Sequence, residues 1–504
     1  MSSDTAVDMK EVELNELDPE KQPMTGDGQP TGGEKNGSVK VKVPEDEVAF
    51  TGLSKEELMR VAGTPGWVRT RWLLLVLFWL GWIGMLAGAI AIIVQAPRCK
   101  PLPKMKWWNE GPLYQISDAK AFSDGLDGVE SKLDSLNQLK VKGLVLGPFH
   151  TVQKDQPHTL DLKTIDPTEG TQENLMAVVQ KAHKKGMSVV LDLTPNYEGS
   201  APWFTSGDME NVMEKVKEAA DYWLGLGIDG IKLQNLEVAS GAGDWSQLLM
   251  AVHGNDTEES DKLLMAVLKG VSPGQASHLV NTSGADLVLS DLLQTQTSGV
   301  ERIKALDVLH ANQRSIAWGV GAATQDQLAI PQGLIRLYQL LLFTLPGTPV
   351  FTYGDEIGLQ KQGPESPKMP WNLEKAPEEG TSNATAEAQR EAYVSTKKWF
   401  KSLSDLRGKE RSLLHGDYYS LYSGPSSLAF LRLWDQSGRY ITAANWGDTD
   451  APIKFTALPG VELPESATVV LSTDPTQKEG TPVQLDELTL PAQQAVLLKF
   501  PYVA

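Results

Sequence analysis

The hydrophobic positions divide the chain into three regimes. Residues Met1 to about Val48 are rich in Glu, Asp, Gly and Pro and show no sustained apolar period, the pattern of a segment that cannot bury enough surface to order itself. A local helix signal follows: Ser54 can cap, Glu57 can reach back to it, Leu53 can pack on Leu58, and Gly63 and Pro65 stop the run. So short a helix is marginal alone, so it predicts either a docking element for a partner or the inner leaflet, or a fluctuating turn. Trp72 to Val94 then read WLLLVLFWLGWIGMLAGAIAIIV without a charge. At 1.5 Å per residue this run spans roughly 34 Å, enough to cross a bilayer core with some tilt. A cleavable signal peptide would stand at the N-terminus, whereas 71 residues precede this run.

Beyond Trp107 short apolar runs alternate with amphipathic stretches. The pattern predicts strands at Leu113–Ile116, Lys142–Gly147, Ser188–Leu193 and Gly230–Leu233, with helices over Lys132–Leu139, Asn174–Lys185 and Asn211–Leu226 between them. Repeated βα units imply a parallel sheet, and their extent fits a TIM-type (β/α)8 barrel over 107–410. Residues 411–504 change character to short strands between Gly, Pro and Asp turns, predicting a C-terminal antiparallel β-sandwich domain. The expected organisation is a tail (1–71), a transmembrane helix (72–94), a neck (95–106), the barrel and the β domain.

Charge and cysteine usage narrow the partners. The 46 basic and 64 acidic residues leave a net charge of −18, which argues against a nucleic-acid partner. One cysteine among 504 residues excludes an intramolecular disulfide framework and a thiolate metal cluster. The seven histidines show no metal-binding spacing, so neither metal nor cofactor is expected. Arg60, Arg69 and Arg71 precede the span and Arg98, Lys100, Lys104 and Lys106 follow it, so charge bias does not orient it. Three N-glycosylation sequons, at Asn255, Asn281 and Asn383, lie after the span, and one at Asn36 lies before it. With the C-side extracellular, Cys99 stands in an oxidising compartment and reads as an intermolecular bond; a free or lipidated thiol is the alternative. Within the span Gly84 and Gly88 form a GxxxG with Gly81 nearby, small residues that let helices approach closely, and Trp72 suits an interfacial anchor.

Several segments resemble the α-amylase family of glycoside hydrolases: Leu345 to Leu359 (LPGTPVFTYGDEIGL) its eighth strand, Asp192 to Asn196 (DLTPN) its third, and Gly227 to Gln234 (GIDGIKLQ) the stretch carrying its nucleophile. Leu406-Arg407 through Tyr418 resembles the entry to its C-terminal domain. The resemblance implies that family's barrel and two catalytic carboxylates flanking the scissile bond. At the nucleophile motif, however, this chain carries Lys232 and Gln234 in place of Arg and Asp. The general-acid position is expected in Leu279 to Thr282, with Thr282 the match, and the Asn-His-Asp motif is expected near Trp318 to Gly321; neither segment supplies those residues. Tyr197 replaces the His that ends the third-strand motif, while Asp192 and Asn196 remain. Only 32 residues separate Asn196 from Asp229, too few for the inserted domain that helps bind calcium. The resemblance thus implies a fold retained and a chemistry deleted.

Tail, single span, juxtamembrane cysteine and degenerate hydrolase-like ectodomain together resemble the heavy chains of heteromeric amino-acid transporters. The runs WVRTRW, WLGWIGMLAGA, APRC, KVKGLVLGP and LDLTPNY carry this likeness, and the missing insertion favours the 4F2 type of heavy chain. The resemblance implies a non-catalytic subunit bound through Cys99, the span and the ectodomain to a multi-span light chain of L-type, cationic/neutral-exchanging or cystine/glutamate type. It further implies a single-pass type II placement in the plasma membrane, chaperoning of the light chain, and association with integrin β subunits. A sugar-binding receptor or residual membrane-bound glycosidase is the alternative.

Overall fold

The computed structural model describes residues 54–95, 99–204, 207–254, 260–291, 297–319, 330–361, 365–373 and 384–502. The tail before Ser54, the Leu53 staple, Val320, Gly321 and the sequons at Asn255 and Asn383 lie outside these residues.

Two compact units divide the chain near Pro97. The first holds α1 (Lys55–Ala62) and α2 (Pro65–Gln95). A reciprocal capping box starts α1: Ser54 Oγ accepts from the Glu57 N–H at 3.3 Å, and the Glu57 carboxylate accepts from the Ser54 N–H at 3.3 Å. Gly63 ends α1, as expected. Pro65 also opens α2, where its missing N–H costs nothing because first-turn donors have no helical acceptor. The second helix therefore begins about two turns before the apolar run at Trp72. Among the described residues it is the one helix long and apolar enough to cross a membrane.

The second unit is built on a closed barrel of eight parallel strands: β1 (Leu113–Ile116), β2 (Gly143–Leu146), β3 (Ser188–Asp192), β4 (Gly230–Leu233), β5 (Leu263–Leu268), β6 (Leu287–Ser290), β7 (Ile316–Gly319) and β8 (Thr348–Thr352). Pairing of Leu113 with Val350 closes the ring. Helices α3 (Ala119–Ser123), α4 (Leu126–Gln138), α5 (Gln172–Lys184), α6 (Met209–Gly225), α7 (Leu236–Ala239), α8 (Trp245–His253), α9 (Pro273–Thr282), α10 (Gly299–Leu309) and α11 (Ile335–Thr344) fill the crossovers. Each strand is buried on both faces, so it reads as an apolar run, yet the period of two survives in its packing. Leu263, Met265 and Val267 join Val145, Val190, Leu289 and Val350 inside the barrel, while Leu264, Ala266 and Leu268 pack with the helices.

After α12 (Ala384–Lys409) and α13 (Arg411–Leu414) come β9 (Asp417–Ser423), β10 (Ser427–Leu433), β11 (Arg439–Asn445), β12 (Ala451–Pro452), β13 (Ser466–Ser472), β14 (Pro482–Gln484), β15 (Thr489–Leu490) and β16 (Gln494–Phe500). Six of these strands form an antiparallel sheet in the order β14-β13-β16-β11-β10-β9, and β12 with β15 forms a ribbon. Leu428, Phe430, Tyr440 and Leu497 extend the core that surrounds the barrel. Ala429, Leu431, Ile441 and Leu498, on the opposite face, pack with Ile453, Leu488 and Leu490 in a separate core.

Buried arginines from α12 and from β10 meet at the end of α11, and the second joins sheet to barrel. Arg407 donates to the carbonyls of Phe343 (2.7 Å) and Leu345 (3.0 Å), and Arg432 to those of Thr344 (2.8 Å) and Gly416 (2.9 Å). Phe343, Thr344 and Leu345 end α11, where carbonyls lack helical donors and carry the negative end of the macrodipole. Two cations buried on this terminus satisfy it without a carboxylate.

Candidate functional site

The C-terminal ends of the barrel strands gather the residues singled out in the third- and fourth-strand motifs. Ile231 and Leu233 face the helices, so alternation turns Lys232 inward and brings Gln234 to the strand mouth. Asp192 is the register partner of Lys232. Their side chains form an ion pair, Nζ to Oδ2 at 2.9 Å, with both side chains wholly buried. The other Asp192 oxygen accepts from the Thr194 N–H at 3.0 Å and its hydroxyl at 2.5 Å. Gln234 is only 3% exposed, and its backbone carbonyl accepts from the buried Trp203 indole at 2.7 Å. The arrangement can neutralise and rigidify the strand ends, and it leaves the Asp192 carboxylate no exposure to solvent.

Asn196 acts in the loop after β3. Its amide donates to Asp155 Oδ1 at 2.9 Å and the Ala201 carbonyl at 2.7 Å, and accepts from the Asp155 N–H at 3.1 Å. A Cβ on Gly199 would stand 2.0 Å from this amide, so glycine is required there. Tyr197 donates to the His150 carbonyl at 3.1 Å, and its ring meets the imidazole edge-on at 5.2 Å. Burial lowers the His150 pKa to about 4 and raises that of the Tyr197 phenol. After β8, Glu356 accepts from the Tyr114 hydroxyl and the Gly354 N–H, each at 2.9 Å, while Asp355 accepts from the Thr352 N–H at 2.8 Å. Burial raises the pKa of both carboxyls, which belong to the closing turn of the barrel.

Thr282 requires a correction. Leu279 to Thr282 form the last turn of α9, not the end of the fifth strand, and β5 ends at Leu268 with Lys269 following. Ser272 caps α9, Pro273 takes its first position and Gln275 completes a capping box. This start signal was legible; the Leu-Val pair near the helix end imitates a strand terminus, whereas LLMAVL is an unpunctuated apolar run. Asn281, on the same turn, is exposed, with its Nδ2 donating to the Ser277 carbonyl at 2.8 Å.

Cys99 is exposed and unpaired within the chain. The neighbouring Lys100 is fastened three ways: its N–H to Asp435 at 3.0 Å, its ammonium to Asp417 at 3.7 Å, and its ammonium over the Trp434 ring at 4.5 Å. Lys106 donates to the Ser260 carbonyl at 2.7 Å and the Trp107 indole to that of Asp261 at 3.0 Å. The thiol thus stands beside an anchored neck. On α2, Gly81, Gly84 and Gly88 fall at spacings of three and four on one face, and a Cβ at any of them meets no atom within 4 Å.

The chain thus combines an apolar helix long enough to cross a bilayer with an amylase-like barrel and an antiparallel C-terminal sheet. Residues 38–114 match the family described as Solute carrier family 3 member 2 N-terminus, and residues 114–223 match the Alpha amylase, catalytic domain family. The chain is 47% identical to the Amino acid transporter heavy chain SLC3A2 of Rattus norvegicus and 46% identical to that of Mus musculus, in each case over 100% of both chains. It belongs to this SLC3A2 family of amino acid transporter heavy chains. The barrel and sheet are similar to the debranching enzyme from Nostoc punctiforme at a TM-score of 0.58, with 19% identity, covering 79% of this chain and 100% of that one. That likeness concerns the fold alone.

Proposed function

We propose that the chain is the non-catalytic heavy subunit of a heteromeric amino-acid transporter. Cys99 forms the disulfide to a multi-span light chain of L-type, cationic/neutral-exchanging or cystine/glutamate type, which the heavy chain stabilises and brings to the plasma membrane. The N-terminus is cytoplasmic and the C-terminal unit extracellular, with glycans at Asn255, Asn281 and Asn383. Association with integrin β subunits through span and tail links the complex to adhesion signalling. The end-to-end match to rat and mouse SLC3A2 heavy chains carries this reading. An exposed thiol beside an anchored lysine supports it, because one covalent bond makes the remaining span and ectodomain contacts effectively intramolecular. Gln234 and Lys232 support the non-catalytic part. An amide is too poor a nucleophile to form the glycosyl ester that retaining glycosidases require, and a barrel alone does not license hydrolysis.

Native membranes, alkylated and run with and without reductant, test the assignment. A heavier species that collapses on reduction and contains a multi-span transporter is expected, and Cys99→Ser abolishes it while leaving weaker non-covalent association. One band at monomer mass in both lanes overturns the covalent partnership.

A further inference from the structure

On the flank of the barrel, away from the strand ends, α4, the segment Trp371 to Leu373 and α12 enclose a cleft of about 440 Å³. Its floor includes Leu139 and Leu373, and its walls carry Ser135, Gln138, Asn372, Lys397, Lys398 and Lys401. Val394, Lys397, Lys398 and Lys401 recur at helical spacings of three and four, so a single face of α12 presents all three ammonium groups. Lys398 and Lys401 are exposed and form no ion pair among the described residues. A fourth cation, Lys132, stands 5.1 Å over the Trp371 ring. That ring is held from behind, its Nε1 donating to the Phe122 carbonyl at 2.6 Å and its edge packed on the Phe122 ring at 4.9 Å.

Among the described residues no acid lines the cleft. Glu130 and Asp134 on α4 pair instead with Lys181 and Lys185 on the α5 side, and Glu356, which interacts with Lys397, is buried beneath the strand mouth. In a chain of net charge −18, the described lining of this concavity carries three lysines and no acid. The volume suits one or two six-membered rings, and an aromatic wall with a few convergent polar groups is the usual make-up of a small-molecule site. Ammonium groups attract anions as point charges, while an indole offers an apolar face. Serine, glutamine and asparagine on the rim can bond hydroxyls.

We propose that this cleft binds an anionic sugar, a pyranose bearing a carboxylate or sulfate. The charged group lies among Lys397, Lys398, Lys401 and Lys132, and the ring lies along Trp371. The site is independent of the strand mouth and of any hydrolysis.

Titration calorimetry of the purified full-length chain with glucuronate, glucose and inorganic sulfate separates the contributions. Saturable glucuronate binding that weakens at least tenfold from low to high salt is expected, with glucose much weaker. The triple variant Lys397→Gln, Lys398→Gln, Lys401→Gln should lose at least tenfold in affinity, and the double variant Lys398→Gln, Lys401→Gln should weaken binding with an unchanged thermal midpoint, since both of those side chains are exposed. Trp371→Leu should weaken glucuronate and leave sulfate unchanged. Should that variant not fold, the ratio of glucuronate to sulfate affinity in the parent chain reports the ring contribution. Equal binding of sulfate and glucuronate overturns the sugar assignment. Absence of saturable anion binding, or full binding by the triple variant, overturns the site.

Discussion

His150 sets protonation against burial. In water an imidazole titrates near 6.5, whereas the buried ring is held neutral down to about 4. The unfolded chain therefore binds the extra proton first as pH falls. Its contribution to stability is complete above about 6.5 and drains away toward about 4, worth about 3 kcal/mol across that window. Urea midpoints of the parent chain should fall between pH 7 and pH 4.5, and His150→Gln should flatten that part of the profile; an identical slope in both would assign the acid sensitivity elsewhere. At residue scale the motif resemblance pointed to Asp192, Lys232 and Asn196, and the structure places all three at or just beyond the strand ends, Asp192 paired with Lys232 and Asn196 tying the loop after β3. The resemblance failed at Thr282, where the identity of a residue matters less than the element carrying it.

At the scale of elements, β1 to β4 emerged within a residue or two of their observed limits because each apolar run is bounded by turns or by a charged helix face. The eighth strand was legible through the resemblance of Leu345 to Leu359 to the amylase-family segment. The fifth was not, since LLMAVL offers no alternation to distinguish a doubly buried strand from a helix core. For α2 the apolar run located the segment but not its start, because the helix runs on through the polar residues Arg69, Thr70 and Arg71 once Pro65 has opened it. The glycine face has a testable weight. Replacing Gly84 and Gly88 by leucine adds bulk on a side where none of the described residues packs, so the helix itself should persist. Recovery of a light chain with the Cys99→Ser form, where no covalent bond masks weak pairing, should drop several-fold by co-purification. Undiminished recovery would move the contact to another helix face.

For the molecule beyond the neck, barrel and C-terminal sheet are one folding unit in energetic terms, because Phe430, Tyr440 and Leu497 lie in the same core as the barrel helices. A chain ending after Lys409 would expose that core and leave the end of α11 without Arg432. We expect it to lose its protease-resistant fragment in limited proteolysis; a stable barrel fragment would show that the sheet is dispensable. The sequence announced both layers through their different turn chemistry but could not show that they share a core, since contacts between distant segments leave no local period. The arginines at the end of α11 carry a consequence for behaviour in different media. Their bonds run to uncharged peptide oxygens in the interior, where dissolved ions do not reach, and Arg407 retains its proton up to about 10 despite burial. Burial, with Arg407 close by, lowers the Arg432 pKa much further, so the bond from the sheet to the Thr344 carbonyl is insensitive to dissolved ions while the Arg432 proton is the less firmly held of the two.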